Sequence, residues 1–425
     1  MAARRRQFPG RRRTAANRGA ILTSPPRRPA LIALILVMGV GPFATDTYLA
    51  ALPELQRSLH ASATVAQLTL TTFIVGLAAG QFLIGPASDA YGRRRLLIAC
   101  SVAFAVLSAV CGLSPDGAVL VAARLVQGVV AGGGVALGRA VVTDTHAGDR
   151  AAATFGLISS VTFLGPIIAP AAGGAILAYG TWRTVFAALT LLGVLMAVAV
   201  TLGVPETLPP ARRHPAGLRA LGVRMAGLLR DWGFMRHVVL QCLAGAGFFT
   251  YIGGSAFVLR SVYGISATHY TVVFATNAAA MAVFSLLFRL TVVRAGAARL
   301  RAIGITVSTA GAAGLPVVAL AGPHSVPLAV PWALLCAVVG GMGFVIPAAT
   351  ALAQEAGRHS AGTASALQGG LTFLAGAVAT PLTGVFGYDT LLPMAVTMSV
   401  LYAAAFVLMC VITDRSPRRA KTPTT

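Results

Sequence analysis

A single carboxylate, Asp46, lies inside the first long apolar run of the chain, in the stretch FATDTYLAALPEL. The chain has 11 acidic residues, and all the others fall between apolar runs or at their ends. A charge deep in a membrane costs at least ~2.5 kcal/mol, so an acid in such a place normally has a function or a partner. We therefore expect Asp46 to bind a proton or a substrate. The alternative is that it caps a helix broken near Pro42 or pairs permanently with an arginine.

Arg124, in the stretch ARLVQGVVAGGG, is a second charge inside an apolar run. It lies about as far from one membrane face as Asp46 does, so the two are expected at a similar depth. One hypothesis is a salt bridge between them that forms and breaks, and the other is an arginine that extends to the membrane surface. The polar residues Tyr48 and Gln127 join Asp46 as candidates to contact a substrate.

The composition places this chain in a membrane rather than in water. Of its 425 residues, 56% are hydrophobic and 10% are charged, whereas a soluble domain is about a quarter charged. The net charge of +22 does not indicate nucleic-acid binding, because the arginines cluster between apolar runs without interleaved aromatic residues. The five cysteines all lie in apolar runs without the spacing of metal ligands, so no metal site is predicted.

Twelve apolar segments are long enough to cross a bilayer as helices, which takes ~20 residues each. Their predicted ranges are 30–52, 65–86, 96–114, 118–139, 152–178, 183–204, 237–260, 269–292, 301–321, 328–352, 361–386 and 391–412. The longest gap lies in the middle and is basic. The predicted all-α organisation is a basic N-terminal arm (1–29), a six-helix half (30–204), a basic linker (205–236), a second six-helix half (237–412) and a tail (413–425).

The basic residues distinguish the two sides of the membrane. Of the 33 Lys and Arg residues, we assign 29, Arg139 among them, to one set of termini and loops, three to the opposite loops and one, Arg124, to a span. Because Lys and Arg accumulate in cytoplasmic loops, both termini and the linker are predicted to be cytoplasmic. The arm has nine arginines and no acid in its first 28 residues. This favours an arm that binds anionic lipid, although a transit peptide is the alternative.

A loop rich in glycine and arginine, GPASDAYGRRRLL, joins the second and third segments. Glycines permit a tight turn, an aspartate can cap a helix, and arginines can pair with acids on neighbouring helices. The loop resembles the G-x-x-x-D-x-x-G-R-R signature of the major facilitator superfamily in spacing, side and segment number. The resemblance implies a structural latch that controls opening at the cytoplasmic side. The latch residues it implies are Gly85, Asp89, Gly92, Arg93 and Arg94, with Asp144 as the partner of Arg93.

Two further motifs resemble those of proton-coupled antiporters in this superfamily. RLVQG (Arg124–Gly128) is similar to the fourth-span arginine motif, and GPIIAPAAGGAI (Gly165–Ile176) is similar to the fifth-span motif G-P-x-x-G-P-x-x-G-G, with Ala169 in place of its second glycine. Prolines and glycines kink a helix and permit close packing, so an ordinary kinked span is the alternative. The residues of this antiporter kink are Gly165, Pro166, Pro170, Gly173 and Gly174.

The stretches TDTYLAALP and RAVVTDTHAGDRAA resemble the bicyclomycin and chloramphenicol resistance branch, Bcr/CflA. Some drug exporters carry a second acid two turns before the first-span aspartate, and here that position is the apolar Met38. The resemblance implies a drug:proton antiporter with a single buried acid. Asp46 and Arg124 would couple transport to protons, with the proton as coupling ion and no cofactor.

The resemblance also implies two six-helix halves with a substrate site between them, faced by spans one, four, seven, eight and ten. Phe248, Phe249 and Tyr251 in span seven and Asn277 in span eight suit a drug-sized, mostly apolar ligand. The expected function is efflux of phenicol-like or bicyclomycin-like drugs by alternating access. The expected setting is a monomer in a bacterial cell membrane, with lipid, drug and protons as partners and no nucleic acid.

Two other functions stay open at this point. A metabolite or sugar exporter or symporter of the same superfamily would show more polar residues in its spans and would lack the fifth-span motif. A polytopic membrane enzyme would need a nucleophile, a metal cluster or an acid pair near one face, and the sequence offers no such set.

Overall fold

The computed structural model describes residues 29–411 except 50, 216, 323–324 and 386–389, and these residues form helices joined by short connections, without a strand. In chain order the helices are α1 (Leu31–Leu49), α2 (Leu52–Ser58), α3 (Ala63–Tyr91), α4 (Arg93–Gly112), α5 (Gly117–Thr145), α6 (Gly148–Thr162), α7 (Gly165–Tyr179), α8 (Trp182–Gly203), α9 (Leu218–Arg230), α10 (Trp232–Tyr263), α11 (Ala267–Ala295), α12 (Ala297–Ala321), α13 (Ala329–Ala356), α14 (Ala361–Val385) and α15 (Leu392–Val411). The predicted arm, apart from residue 29, and the predicted tail lie outside the described residues.

Eleven membrane spans are recognisable by length and apolar composition within the described part of the chain. One of them, Gly148–Tyr179, consists of α6 and α7 together. The predicted segment 361–386 corresponds to α14, whose 25 residues are enough to cross a bilayer. The all-α prediction is confirmed. The short helix α2 and the linker helix α9 were not predicted.

Local sequence explains where several helices begin. The side chains of Ser62, Asp116 and Ser266 each accept a hydrogen bond from a backbone N–H in the first turn of α3, α5 and α11. Such caps satisfy donors that the helix itself leaves unpaired. Gly92 separates α3 from α4 with φ 94°, a backbone conformation that favours glycine.

Glycines allow helices to cross at backbone distance. A side chain at Gly76 or Gly128 would overlap backbone atoms where α3 crosses α5, and the same holds for Gly304 and Gly341 where α12 crosses α13. Small residues at such crossings are typical of membrane helices, because close backbone approach gives extensive van der Waals contact. One apolar core lies mainly in the first half and includes Phe288 and Val292 of α11, and a second lies mainly in the second half.

Candidate functional site

A cavity of about 470 Å³ lies between the two halves. Its walls come from α1, α3, α5, α6 and the start of α7 in the first half, and from α10, α11, α13 and α14 in the second half. The volume is in the range of sites that enclose drug-sized ligands. The predicted spans one, four, seven, eight and ten all contribute, and the prediction omitted spans two, five and eleven.

Asp46 lines this cavity from α1 and is partly buried. The hydroxyl of Thr45 donates a hydrogen bond to Asp46 Oδ1 at 2.8 Å. The same hydroxyl lies 3.1 Å from the carbonyl oxygen of Gly41 and 3.2 Å from that of Pro42, so it is anchored to the preceding turn. Among the described residues, no cation pairs with Asp46. The carboxyl group is therefore available to a proton or a ligand in the cavity.

Arg124 is fully buried in α5, behind the cavity wall. Its guanidinium donates to the carbonyl oxygens of Thr69 and Ala44, each at 3.2 Å, and to Gln127 Oε1 at 2.8 Å. It also lies over the rings of Phe73 and Tyr48, at 4.2 and 4.9 Å from their centroids. The hypothesised salt bridge to Asp46 is therefore not formed in this structure, because oxygens and aromatic rings already surround the cation. The bond to Ala44 nevertheless ties Arg124 to α1 two residues before Asp46.

Tyr48 and Gln127 belong to this arginine cluster rather than to the cavity lining. The Tyr48 hydroxyl shares a hydrogen bond of 2.7 Å with Thr69 Oγ1, and its ring packs against Phe186. Gln127 Nε2 donates to Ser108 Oγ at 2.7 Å. Both side chains stabilise the surroundings of Arg124, and a contact between either of them and a substrate stays a prediction.

The second half contributes an aromatic wall. Phe248, Phe249 and Tyr251 of α10 line the cavity, as do Phe274 of α11 and Phe373 of α14. The Tyr251 and Phe274 rings are nearly parallel, with centroids 6.1 Å apart, and Phe249 packs against Phe373 at 5.7 Å. Aromatic faces of this kind offer a large apolar contact area to a ligand.

Asn277 lies behind this wall and does not itself line the cavity. It is fully buried, and its Nδ2 donates a hydrogen bond of 3.0 Å to the Tyr251 hydroxyl. Asn277 therefore contacts the cavity wall through Tyr251, and a contact between Asn277 and a substrate stays a prediction.

Arg139 was missed as a cavity residue. We assigned it to a cytoplasmic loop, whereas α5 continues through it to Thr145 and its side chain lines the cavity. The error arose because an arginine normally marks the end of a span, and we ended the segment at 139. The apolar residues that continue to Val142 were the signal that could have shown a longer helix.

The latch residues meet at the membrane face that carries the linker, here called the linker face. Arg93 pairs with Asp89 at 2.8 Å and with Asp144 at 3.0 Å. Asp89 also accepts hydrogen bonds at 3.0 Å from the backbone N–H of Gly362, and at 2.9 and 2.6 Å from the N–H and hydroxyl of Thr363. These two residues begin α14, whose unpaired N–H groups favour a carboxylate. Asp89 thus connects the first half to the second.

The remaining latch residues hold the linker face together in other ways. Arg94 donates to the carbonyl oxygens of Val204 at 2.9 Å and Thr201 at 2.8 Å, at the end of α8. A side chain at Gly85 would overlap the carbonyl oxygen of Gly362, so this glycine permits α3 to approach α14. Sequence reasoning missed Glu206, which accepts a hydrogen bond of 2.9 Å from the Arg93 N–H.

The residues of the antiporter kink lie where α6 ends and α7 begins. Pro166 lines the cavity, and Gly165 packs against Pro42 of α1. A side chain at Gly173 would overlap the carbonyl oxygen of Thr47, whereas nothing lies within 4 Å of the same position at Gly174. Pro170 lies inside α7. The kink therefore brings α7 against the segment of α1 that carries Asp46.

A family model described as Major Facilitator Superfamily matches residues 34–381. The chain belongs to this superfamily. It is accordingly a multi-pass membrane transporter for small molecules and not an enzyme.

Three relatives of this transporter narrow the branch. The MFS-type transporter YdgK of Bacillus subtilis is 36% identical over 376 residues, which are 87% of this chain and 92% of that protein. A bicyclomycin resistance protein homolog of Haemophilus influenzae is 27% identical, over 90% of this chain and 96% of its own. The multidrug resistance protein MdtL of Salmonella heidelberg is 26% identical, over 60% of this chain and 63% of its own. The predicted resemblance to the bicyclomycin and chloramphenicol resistance branch is confirmed.

Two solved structures share the fold of this transporter. The human organic anion transporter MFSD10 superposes with a TM-score of 0.76 at 19% identity, over 91% of this chain and 100% of that one. The proton:xylose symporter XylE superposes with a TM-score of 0.71 at 16% identity, over 90% and 95%. Both confirm the predicted major facilitator fold.

The transporter is closed at its linker face. Besides the bonds that Asp89 accepts from α14, Thr143 of α5 donates to Gln354 of α13 at 3.3 Å, and Arg358 donates to the carbonyl oxygen of His146 at 3.0 Å. The amide chain continues from Gln354 to Gln368 at 2.7 Å and from Gln368 to Gln241 at 2.7 Å. Because Gln241 lines the cavity, this chain of buried amides separates the cavity from the linker face.

Proposed function

We propose that this transporter exports small, largely apolar drugs in exchange for protons. The observation that carries the proposal is the position of Asp46, a carboxyl group without a cationic partner among the described residues, in a drug-sized cavity whose opposite wall is aromatic. The names of two relatives, a bicyclomycin resistance protein homolog and a multidrug resistance protein, support the same reading.

The sidedness follows from the distribution of arginines. We place the linker face, both termini and the latch in the cytoplasm of a bacterial cell, because basic residues concentrate there. A transporter closed at that face has its cavity turned away from the cytoplasm. Protons would then reach Asp46 from outside the cell.

Alternating access then links proton and drug. A proton on Asp46 removes its charge and weakens the binding of a polar or cationic group beside it, so the drug leaves. The latch must open for the next drug to enter, and this requires Asp89 to release the start of α14. The drug displaces the proton on the cytoplasmic side. The membrane potential contributes ~2.3 kcal/mol per charge per 100 mV, so exchange of a neutral drug for one proton is driven by both the potential and the pH gradient.

The coupling group is connected to the moving elements by direct contacts. Arg124 holds the carbonyl oxygen of Ala44, and Gly173 of α7 packs on the carbonyl oxygen of Thr47. A change at Asp46 therefore acts on backbone that α5 and α7 already contact. We propose this as the path by which protonation alters the packing of α1.

The chain is expected to act as a monomer with the proton as its coupling ion and no cofactor.

A metabolite or sugar carrier of the same superfamily is the second candidate. The cavity does not favour it, because most of the residues that line it are apolar and a sugar needs several polar partners.

The test measures accumulation of fluorescent drugs in cells that express wild type or Asp46→Asn at matched levels. Wild type should lower the accumulation of at least one drug, a protonophore should abolish this effect, and Asp46→Asn should not show it. The matched control is Asp116→Asn, which also removes one negative charge but keeps a good helix cap at the start of α5. Export by Asp46→Asn at the wild-type rate would mean that the acid is structural and that the mechanism is wrong.

A further inference from the structure

The cavity carries two opposite charges at different depths. Asp46 lines it from α1, and Arg139 lines it from α5. Met38 of α1 packs against Gly138, next to Arg139, and Asp46 follows Met38 by eight residues. Eight residues of α-helix rise roughly 12 Å, so Asp46 and Arg139 are attached to their helices at levels about that far apart.

The charge of Arg139 is not neutralised by any acid among the described residues. In the described part of the chain its hydrogen-bond partner is the neutral amide oxygen of Gln81, at 3.0 Å, and no acid forms an ion pair with it. A desolvated charge normally has a counter-charge, because the loss of hydration is otherwise uncompensated. Arg139 thus lacks such a partner while facing the cavity.

The other buried arginines of the first half differ from Arg139 in this respect. Arg93 has two carboxylates, and Arg124 has three oxygen acceptors and three aromatic rings. Neither of them lines the cavity. Arg139 alone among these three combines a cavity position with a single neutral partner.

The Arg139 guanidinium and the Gln81 amide fill the space beside Gly369 of α14. A methyl group at Gly369 of α14 would overlap both Arg139 Nη1 and Gln81 Oε1. The pocket around Arg139 is therefore formed by both halves, at the linker-face end of the cavity. A planar guanidinium can bind a carboxylate through two parallel hydrogen bonds.

Between the two charges the cavity wall is apolar. Leu77 and Ile74 of α3 line the same cavity as the aromatic residues Phe249 and Phe373. A ligand that reaches both charges must therefore present a flat or apolar body between its two polar ends.

We propose that this cavity binds a zwitterionic aromatic ligand whose carboxylate pairs with Arg139 and whose amine, roughly 12 Å away, pairs with Asp46. This proposal rests on the proposed function, since it names the class of molecule that the transporter exports. It also explains exchange: the ligand amine and the proton compete for Asp46, while Arg139 selects the orientation of the ligand. A ligand with an amine but no carboxylate binds more weakly.

The test measures binding, independently of transport, with purified protein in lipid nanodiscs. The probes are norfloxacin, which has a carboxylate and an amine at opposite ends of an aromatic system, its ethyl ester, which lacks the carboxylate charge, and its N-acetyl derivative, which lacks the amine charge. A charge-assisted bidentate pair predicts a Kd for norfloxacin about tenfold to a hundredfold below that of the ester. Arg139→Gln should make the Kd values of norfloxacin and the ester equal. Arg139→Lys should give a ratio of ester Kd to norfloxacin Kd between those of Arg139→Gln and wild type.

Matched variants separate this site from general effects of charge. Arg95→Gln removes an exposed arginine at the same membrane face. It should leave the ratio of the ester Kd to the norfloxacin Kd unchanged. Asp46→Asn should remove the preference for norfloxacin over the N-acetyl derivative. If Arg139→Gln aggregates, Arg139→Lys and Gly369→Ala decide the question, because both change the site while retaining the charge and both should lower the ratio.

The outcomes distinguish this proposal from the proposed function. If wild type binds the ester as tightly as norfloxacin, or binds neither, or if the variants at Arg139 leave the ratio unchanged, the zwitterion site is wrong even when proton-driven export is observed. If the preference is present and depends on Arg139 but no proton-driven export occurs, the binding site stands and the proposed antiport fails.

Discussion

The two halves of this transporter have similar architectures but different chemistry at the cavity. The first half contributes the charges, Asp46 and Arg139, and holds Arg124 directly behind the wall. The second half contributes most of the aromatic rings and the neutral Gln241, with Asn277 behind the wall. The comparison suggests a division of labour, in which one half couples transport to protons and the other provides contact area for the ligand.

Neutralising the cavity acid should have the largest effect and tests this division directly. In proteoliposomes with an imposed pH gradient, we expect Asp46→Asn to reduce drug transport to the rate of protein-free vesicles. Phe249→Leu on the opposite wall should keep proton-driven transport and change only which drugs are carried. Loss of pH-driven transport in Phe249→Leu, with normal protein levels, would contradict the proposed difference in roles between the two halves.

Removing the charge of Arg124, behind the cavity wall of the first half, should have the next largest effect. Arg124→Gln loses charge-assisted bonds to Thr69 and Ala44 together with its ring contacts. We expect a loss of about 3 kcal/mol of stability, seen as a lower thermal midpoint in detergent. Arg299→Gln, at an exposed position of α12, is the control and should change stability by no more than about 0.5 kcal/mol. Equal midpoints for the two variants would show that the Arg124 cluster adds no stability.

Two adjacent glycines test how closely α7 must approach α1. Gly173→Ala places a methyl group against the carbonyl oxygen of Thr47. It should lower the free energy of unfolding by about 1–3 kcal/mol and impair transport. Gly174→Ala meets nothing within 4 Å and should be neutral or stabilise α7 by up to about 1 kcal/mol. Thermal midpoints and drug transport of the two variants check this. If both alanines behave alike, contact with α1 is not the reason for the motif.

The smallest effect is expected in the aromatic half. Tyr251→Phe removes the hydroxyl that accepts a hydrogen bond from Asn277 but keeps the ring on the cavity wall. We expect the free energy of unfolding to fall by about 1 kcal/mol and the drug affinity to weaken severalfold, while proton coupling persists. Binding titrations and pH-driven transport on the same preparation would measure both. Loss of coupling in this variant would place a proton pathway in the second half.

Much of the architecture was predictable because it depends on local properties. Runs of apolar residues showed the membrane helices, and the loop GPASDAYGRRRLL showed the superfamily before any contact was known. Asp46 and the three aromatic residues of α10 all line the cavity. The contacts of Arg124 were not predictable, since acceptors such as Ala44 and Thr69 are backbone oxygens that look alike in every sequence.

Residue composition and order alone predicted that this protein lies in a membrane, that it is helical and which residue types a proton or a drug can use. Those conclusions follow from hydropathy, charge and spacing, which are properties of short segments. The packing of the helices was needed to show which charges face the cavity and which are enclosed behind it. Asp46 and Arg139 line it while Arg124 does not, because packing between helices far apart in sequence determines which oxygens and rings surround each guanidinium.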